Sequence, residues 1–302
     1  MEETDFVDLI QESLEEQHEA STRNETAVEL QLEAAETPSD ASGSDTPPDT
    51  KAPPVSIRAN IRKTIGYSLV IMGVPLVRNL QITAGADPVE DAVLHIRLRS
   101  DQADDPVATG KLELGAIAAG ETAEPGDIEL TYDARHFVQL DEATGARLEL
   151  VVESSKAPAT ASTPVRLLAY NQWDGLNPDR DIPLFETLAV HVLPNHPRVE
   201  EVRRAASERL KKTTGSSSQE GYQAGPERAV EIAKATFETI QGLDVNYSDP
   251  PASSELFQKI RTPDQILDEK FGTCLDTTCL YAACLEQAGL NPVMFVIAGH
   301  AF

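Results

Sequence analysis

Four side chains near the end of the sequence could do chemistry together: Cys274, Cys279, Cys284 and His300. They lie in FGTCLDTTCLYAACLEQAGLNPVMFVIAGHAF, residues 271–302, which holds all three cysteines of the chain. Three chemistries are open to them: a disulfide, a metal site, or a nucleophile with its base. The spacing argues against the first two. On a helix, five residues advance ~7.5 Å, beyond the ~7 Å that a disulfide allows between Cα atoms. The pattern C-x4-C-x4-C also turns each sulfur ~140° from the one before, so the thiolates do not converge on a metal. No metal or other cofactor is expected.

A thiol and an imidazole are left, and local elements must position them. Gly272-Thr273 ends one short helix and opens another, expected over Cys274–Ala288. Gly289 supplies a left-handed cap and Pro292 prevents continuation. Cys274 falls in the first turn, where unpaired N–H groups and the positive dipole end favour a thiolate. Cys279 and Cys284 sit mid-helix among Leu280, Ala282, Ala283 and Leu285 and read as small buried hydrophobes. Val293–Ile297 is a continuous apolar run, expected as a buried strand that leads into His300. A helix starting at Cys274 and packed on that strand would bring thiol and imidazole together. The Cys274 N–H would then face a developing oxyanion. Asp276 reads as a helix-start charge rather than an acid–base group. The plain alternative is that Cys274 and His300 are packing residues that never meet.

The rest of the chain divides by composition. Residues 1–50 contain fifteen Asp/Glu and one Arg, a net of −14 out of the total −25. Residues 1–54 read as a disordered acidic tail, with a short amphipathic helix conceivable at Phe6, Val7, Leu9 and Ile10. Clustered acid argues against phosphate binding by this segment. Residues 55–193 carry a β signal: Leu94, Ile96 and Leu98 alternate with His95, Arg97 and Arg99. Further runs are Tyr67–Met72, Leu76–Thr83, Lys111–Leu114, Asp127–Tyr132, Val165–Tyr170 and Leu188–Leu193. Phe137–Leu140 and Arg147–Val152 are expected to form a hairpin. A β-sandwich of Ig-like type follows from short strands at this spacing. His95 and His136 read as surface or packing residues, and Trp173 as a packing anchor.

Residues 194–302 turn helical. Pro197 opens a helix with Val199, Val202, Ala206 and Leu210 on one face. A second opens at Pro226, with Ala229/Val230, Ala233, Phe237 and Ile240 expected inward and Gly242 ending it. Residues 249–254 read as a Pro-rich loop. Thr262-Pro263-Asp264-Gln265 is a capping box that begins a helix through about Lys270. No apolar run approaches the ~20 residues of a membrane span, and Met1–Asp5 has no apolar signal core, so a cytoplasmic protein is expected.

Gly272-Thr273-Cys274-Leu275-Asp276, the following helix, Ala288–Pro292, the apolar run and Gly299–Phe302 together resemble the transglutaminase-like superfamily, a branch of the papain-like thiol fold. Tyr170–Trp173, Pro194–Pro197, Gly221–Gln223, Pro250–Ser253 and Arg261–Asp264 look like one subgroup of it, in large bacterial proteins related to superfamily I helicases. The resemblance implies an α+β chain: a disordered acidic tail, an Ig-like β-sandwich, then an incomplete transglutaminase-like domain. It makes Cys274 the nucleophile and His300 the base of a cysteine protease, amidase or acyltransferase acting through a thioester. The family's third residue would lie on a further strand. The chain therefore reads as an inactive N-terminal fragment of a helicase-associated protein, with the helicase motor beyond it. No G-x-x-x-x-G-K-[ST] loop occurs here. The partners implied are a protein or peptide substrate, no membrane, and nucleic acid only through a missing C-terminal region. A non-catalytic interaction or sensing module attached to the helicase engine fits the same residues.

Overall fold

The structure is a computed structural model that describes residues 28–30, 55–155, 158–175, 184–249, 258–297 and 300–302. The fold is mixed α+β. It divides into a β unit, Glu25–Tyr170, and a helical unit that includes Asn171–Phe302.

The β unit holds two sheets. The first joins β1 (Val28–Leu30), β2 (Val55–Ile61), β4 (Val77–Ala84) and β7 (Thr122–Ile128) in the order β1-β2-β4-β7. The second contains β3 (Thr64–Ile65), β5 (Val89–Ser100), β6 (Ala108–Ile117), β8 (Thr131–Tyr132), β9 (Thr144–Glu153) and β10 (Ala159–Leu167), ordered β3-β10-β9-β5-β6-β8. Side chains alternate across a strand, and burial follows. Val55, Ile57 and Ala59 on β2, and Leu94, Ile96 and Leu98 on β5, are all buried. Leu148, Leu150 and Val152 on β9 stand opposite Leu98, Ile96 and Leu94 and share their buried face. His95 Nε2 lies 3.4 Å from Glu153 on the outer face, a surface pair.

Several expectations for this unit are corrected. The acidic tail supplies a strand: Val28, Glu29 and Leu30 pair antiparallel with Ala59, Arg58 and Ile57. The helix considered at Phe6–Ile10 lies outside the described residues. Tyr67–Met72 is helical, as α1 (Tyr67–Ile71), with Val70 N donating to Gly66 O at 3.1 Å. Only Ser68 and Leu69 of α1 are buried. A single turn with one inward face looks in sequence like a β-branched strand. Phe137–Leu140 does not form the outgoing arm of a hairpin. It belongs with α2 (Ala134–Val138), begun by Asp133, whose side chain accepts from Arg135 N. That N-cap outweighs the β propensity of Phe-Val. The run Asp127–Tyr132 is split between β7 and β8.

The helical unit contains β11 (Gln172–Trp173), a 3-10 helix at Phe185–His191, α3 (Pro197–Thr214), a 3-10 turn at Gly221–Ala224 and α4 (Pro226–Gln241). After these come β12 (Asn246–Tyr247), β13 (Gln258–Lys259), α5 (Pro263–Glu269), β14 (Phe271–Gly272), α6 (Cys274–Gln287), β15 (Val296–Ile297) and β16 (His300–Ala301). The unit starts at Asn171 rather than at 194, because β11 pairs with β13 and Leu188 packs beside Trp173 in its core. Leu188–Leu193, expected as a strand, lies mostly in the 3-10 helix. α3 buries Val199, Val202, Ala206 and Leu210 as its period requires.

α4 has the expected ends and part of the expected face: Ala229 is buried, and Ala233 and Ile240 pack against the core. Val230 and Phe237 are 66% and 54% exposed, while Ala229, Ile232, Ala235, Thr236 and Thr239 are buried. The two threonines can be buried because each hydroxyl donates to the carbonyl four residues back, Thr236 to Ile232 at 2.9 Å and Thr239 to Ala235 at 2.7 Å. With their polar atoms satisfied, small side chains let α4 approach α3 and α6 closely.

Candidate functional site

The site is built around the start of α6. Thr273 is its N-cap and Cys274 its first residue. The Thr273 hydroxyl accepts from Asp276 N at 3.3 Å, and Asp276 Oδ2 accepts from Thr273 N at 2.8 Å, a reciprocal capping box. Gln258 Nε2 donates to the same Thr273 hydroxyl at 2.9 Å. Asp276 is fully buried. Its other contacts come from Arg261, whose backbone N donates to Oδ1 at 2.7 Å and whose Nη1 donates to Oδ2 at 3.0 Å. Arg261 is held in turn over the Phe271 ring at 5.3 Å and 3.6 Å from Glu269. Asp276 therefore braces the helix start and has no free oxygen for proton transfer, as its helix-start position implied.

The three cysteines separate as their positions suggest. All are free thiols. Cys279 and Cys284 are buried in the core, and burial pushes both thiols up to about 12, with the Asp276 charge adding to it at Cys279. They are hydrophobic filler at neutral pH. Cys274 is 8% exposed, in a cluster with Trp173, Leu188, Ile260, Leu275, Cys279 and Ala301. Trp173 serves as the anchor of that cluster: its Nε1 donates to Thr187 Oγ1 at 2.8 Å, and Thr187 donates to Leu184 O at 2.6 Å.

His300 lies on β16, and β16 is not the end of a buried strand. Val296 and Ile297 pair antiparallel with Ala301 and His300, forming a hairpin. Phe295 and Phe302 close it with hydrogen bonds of 2.8 and 3.0 Å in both directions. Val293 and Phe295 are 74% and 47% exposed, which corrects the expectation of a buried run at Val293–Ile297. Alternation across β16 then decides where the imidazole goes. Ala301 is buried in the Cys274 cluster, and Val296 opposite it packs there too. His300 is on the other face, exposed, with its ring 6.2 Å from Phe302. No hydrogen bond joins Cys274 to His300 among the described residues.

The strand that does lie beside the start of α6 is β12, which no motif in the sequence marked. Parallel pairing of β12 with β14 sets Tyr247 opposite Gly272. Asn246 N donates to Lys270 O at 2.8 Å and Ser248 N to Gly272 O at 2.9 Å, fixing that register. Desolvation first, and then the nearby charges of Cys274 and Asp249, hold the Tyr247 phenol above its ordinary value. Among the described residues, no group of three or more His, Cys, Asp or Glu could hold a metal.

No family model matches the chain. No curated protein matches it. Among solved structures, the crystal structure of the periplasmic chaperone SfaE is similar over 38% of this chain and 55% of that one, at 12% identity and a TM-score of 0.23. That alignment spans about half of the chaperone chain, and a similarity so weak indicates neither a shared fold nor a shared role. No helix among the described residues is long and apolar enough to cross a membrane.

Proposed function

We propose that the helical unit is a transglutaminase-like thiol domain, carried with an Ig-like β domain in a larger cytoplasmic, helicase-like protein. Its chemistry is that of a cysteine hydrolase or acyltransferase acting on protein or peptide amides. One observation carries the reading: Cys274 is the first residue of a capped helix whose start is braced by Asp276 and Arg261. There the thiolate gains from the helix dipole, and its own N–H is among the donors that the helix leaves free for an oxyanion. The sulfur attacks the amide carbon, a C–S bond forms, and the C–N bond breaks. The thiol gives its proton to solvent before attack, and the amine leaves with a proton taken back from solvent. Water or a second amine then cleaves the thioester, giving acid or new amide and restoring the thiol.

The test uses the full-length protein with casein and a fluorescent primary amine. Amine incorporation or casein cleavage that Cys274→Ala abolishes is the expected result. Turnover equal in wild type and Cys274→Ala would refute it. A second reading, a non-catalytic interaction or sensing module, is favoured by the outward face of His300. It requires that Cys274→Ala leave partner capture by the full-length protein intact.

A further inference from the structure

We propose that the outer edge of β2 is a strand-addition site for an extended segment of a partner protein, one in which apolar residues alternate with acidic ones. Val28–Leu30 of this chain occupies the site in cis and competes for it. The inference is independent of any chemistry at Cys274.

The occupied edge shows what the site accepts. β1 pairs antiparallel with β2, setting Val28 opposite Ala59, Glu29 opposite Arg58 and Leu30 opposite Ile57. Ala59 and Ile57 are buried, and Arg58 between them is exposed. The edge therefore reads apolar, basic, apolar, and the segment paired with it reads apolar, acidic, apolar. Opposite charges and apolar pairs in direct register each favour the ladder. In sequence the alternation runs on through Val28-Glu29-Leu30-Gln31-Leu32-Glu33, the period of a half-buried strand. β1 also comes within 8 Å, Cα to Cα, of β10 in the other sheet. A strand added at this edge thus lies where both sheets of the β unit can be reached.

The cis strand leaves much of the edge open. β2 has 7 residues and β1 has 3. On its inner side β2 pairs with β4 from Val55 to Ile61. On the β1 side only Ile57, Arg58 and Ala59 are paired, among the described residues. Backbone groups left along an edge are a template for another strand. Holding β1 in place also closes a loop, because residues 31–54 lie between Leu30 and Val55. Three residue pairs must offset the entropy of that closure. A partner segment that pairs along all of β2 makes the longer ladder. It gives up the tethering advantage of the tail, which acts as a raised local concentration. The tail therefore sets the concentration that a partner must exceed, and does not seal the edge.

The experiment titrates the full chain into a fluorescein-labelled peptide with the sequence of residues 25–33 and reads anisotropy. Val28→Asp/Leu30→Asp in the chain removes the cis competitor without touching β2. This released chain should bind the peptide at least about tenfold more tightly than wild type, and a peptide carrying the same two substitutions should not bind. Adding Arg58→Glu to the released chain should weaken binding roughly two- to fivefold, and a peptide with Glu29→Lys should recover it. Hydrogen exchange at Ile57, Arg58 and Ala59 should quicken in the released chain and slow again at saturating peptide. Unchanged exchange at Leu94, Ile96 and Leu98 on β5 shows that the β unit remains folded. Equal affinity for wild type and released chain overturns the proposal, as does absence of binding to a released chain whose β5 stays protected. A concentration-dependent dimer of either chain in size exclusion with light scattering also overturns it, because the edge then receives the tail of a second copy.

Discussion

Replacing Asp276 by alanine should destabilise the helical unit. The side chain is fully buried and accepts from Thr273 N, Arg261 N and Arg261 Nη1 at 2.8, 2.7 and 3.0 Å. Removing it leaves two backbone donors and a guanidinium without their acceptor. Breaking one side of a buried pair costs about 3–5 kcal/mol. Arg261 is 30% exposed and regains some water, so the lower end, about 3 kcal/mol, applies. That is a large share of the ~5–15 kcal/mol that holds a domain together. The assay is urea unfolding followed by tryptophan fluorescence. Trp173 is the only tryptophan of the chain and is buried in the cluster that contains Cys274, so the signal reports this unit alone. The midpoint should fall with an unchanged slope. Asp276→Asn, which keeps one acceptor, should fall by less. Removing both partners in Asp276→Leu/Arg261→Met should recover part of the loss, because no buried charge is left unpaired. A loss below ~0.5 kcal/mol in Asp276→Ala, the range of ordinary surface changes, would refute the role of Asp276 as the brace.

Three further outcomes are expected. His191 has a buried Nε2 without a hydrogen-bond partner among the described residues, and burial lowers its pKa from 6.5 to about 4. The neutral ring is the folded form, so its contribution is present above pH 6.5 and lost as pH falls toward 4, by up to about 3 kcal/mol; His191→Gln should flatten that decline in the same fluorescence assay. Iodoacetamide at neutral pH should label Cys274 alone in the native chain and all three cysteines in urea, with Cys279→Ser costing about 1–3 kcal/mol for an unpaired buried hydroxyl; native labelling at Cys284 would contradict its burial. On α4, Ile232→Ala should cost about 2–5 kcal/mol, whereas Phe237→Ser, which loses only an edge contact with Tyr281, should cost about 1 kcal/mol. The opposite ranking in urea would restore the face expected from the hydrophobic pattern.

The elements legible in the sequence are those whose causes lie within a few residues. α5 and α6 could be read from Thr262–Gln265 and Thr273–Asp276 because a capping box is closed by groups three positions apart. Pro197, Pro226 and Gly289 mark ends through their own backbone restrictions. The burial of Cys279 and Cys284 followed from their positions within the helix. Where several local patterns compete, the sequence misled. Val230 and Phe237 are apolar and correctly spaced, yet α4 turns its alanines and self-satisfied threonines inward, since the packing distance to α3 and α6 selects small side chains.

The candidate site depended on contacts that the sequence does not order. Asn246-Tyr247 is far from Phe271-Gly272 along the chain, and only the parallel register of β12 on β14 joins them. His300 follows an apolar run, but its face is set by the pairing of Val296 with Ala301, and in a strand one residue of register exchanges inside for outside. Residue types and helix starts therefore determined that Cys274 opens a capped helix. Strand pairing alone decided that His300 faces away from the Cys274 cluster, because register is fixed by the whole unit's packing and not by any short stretch of the chain.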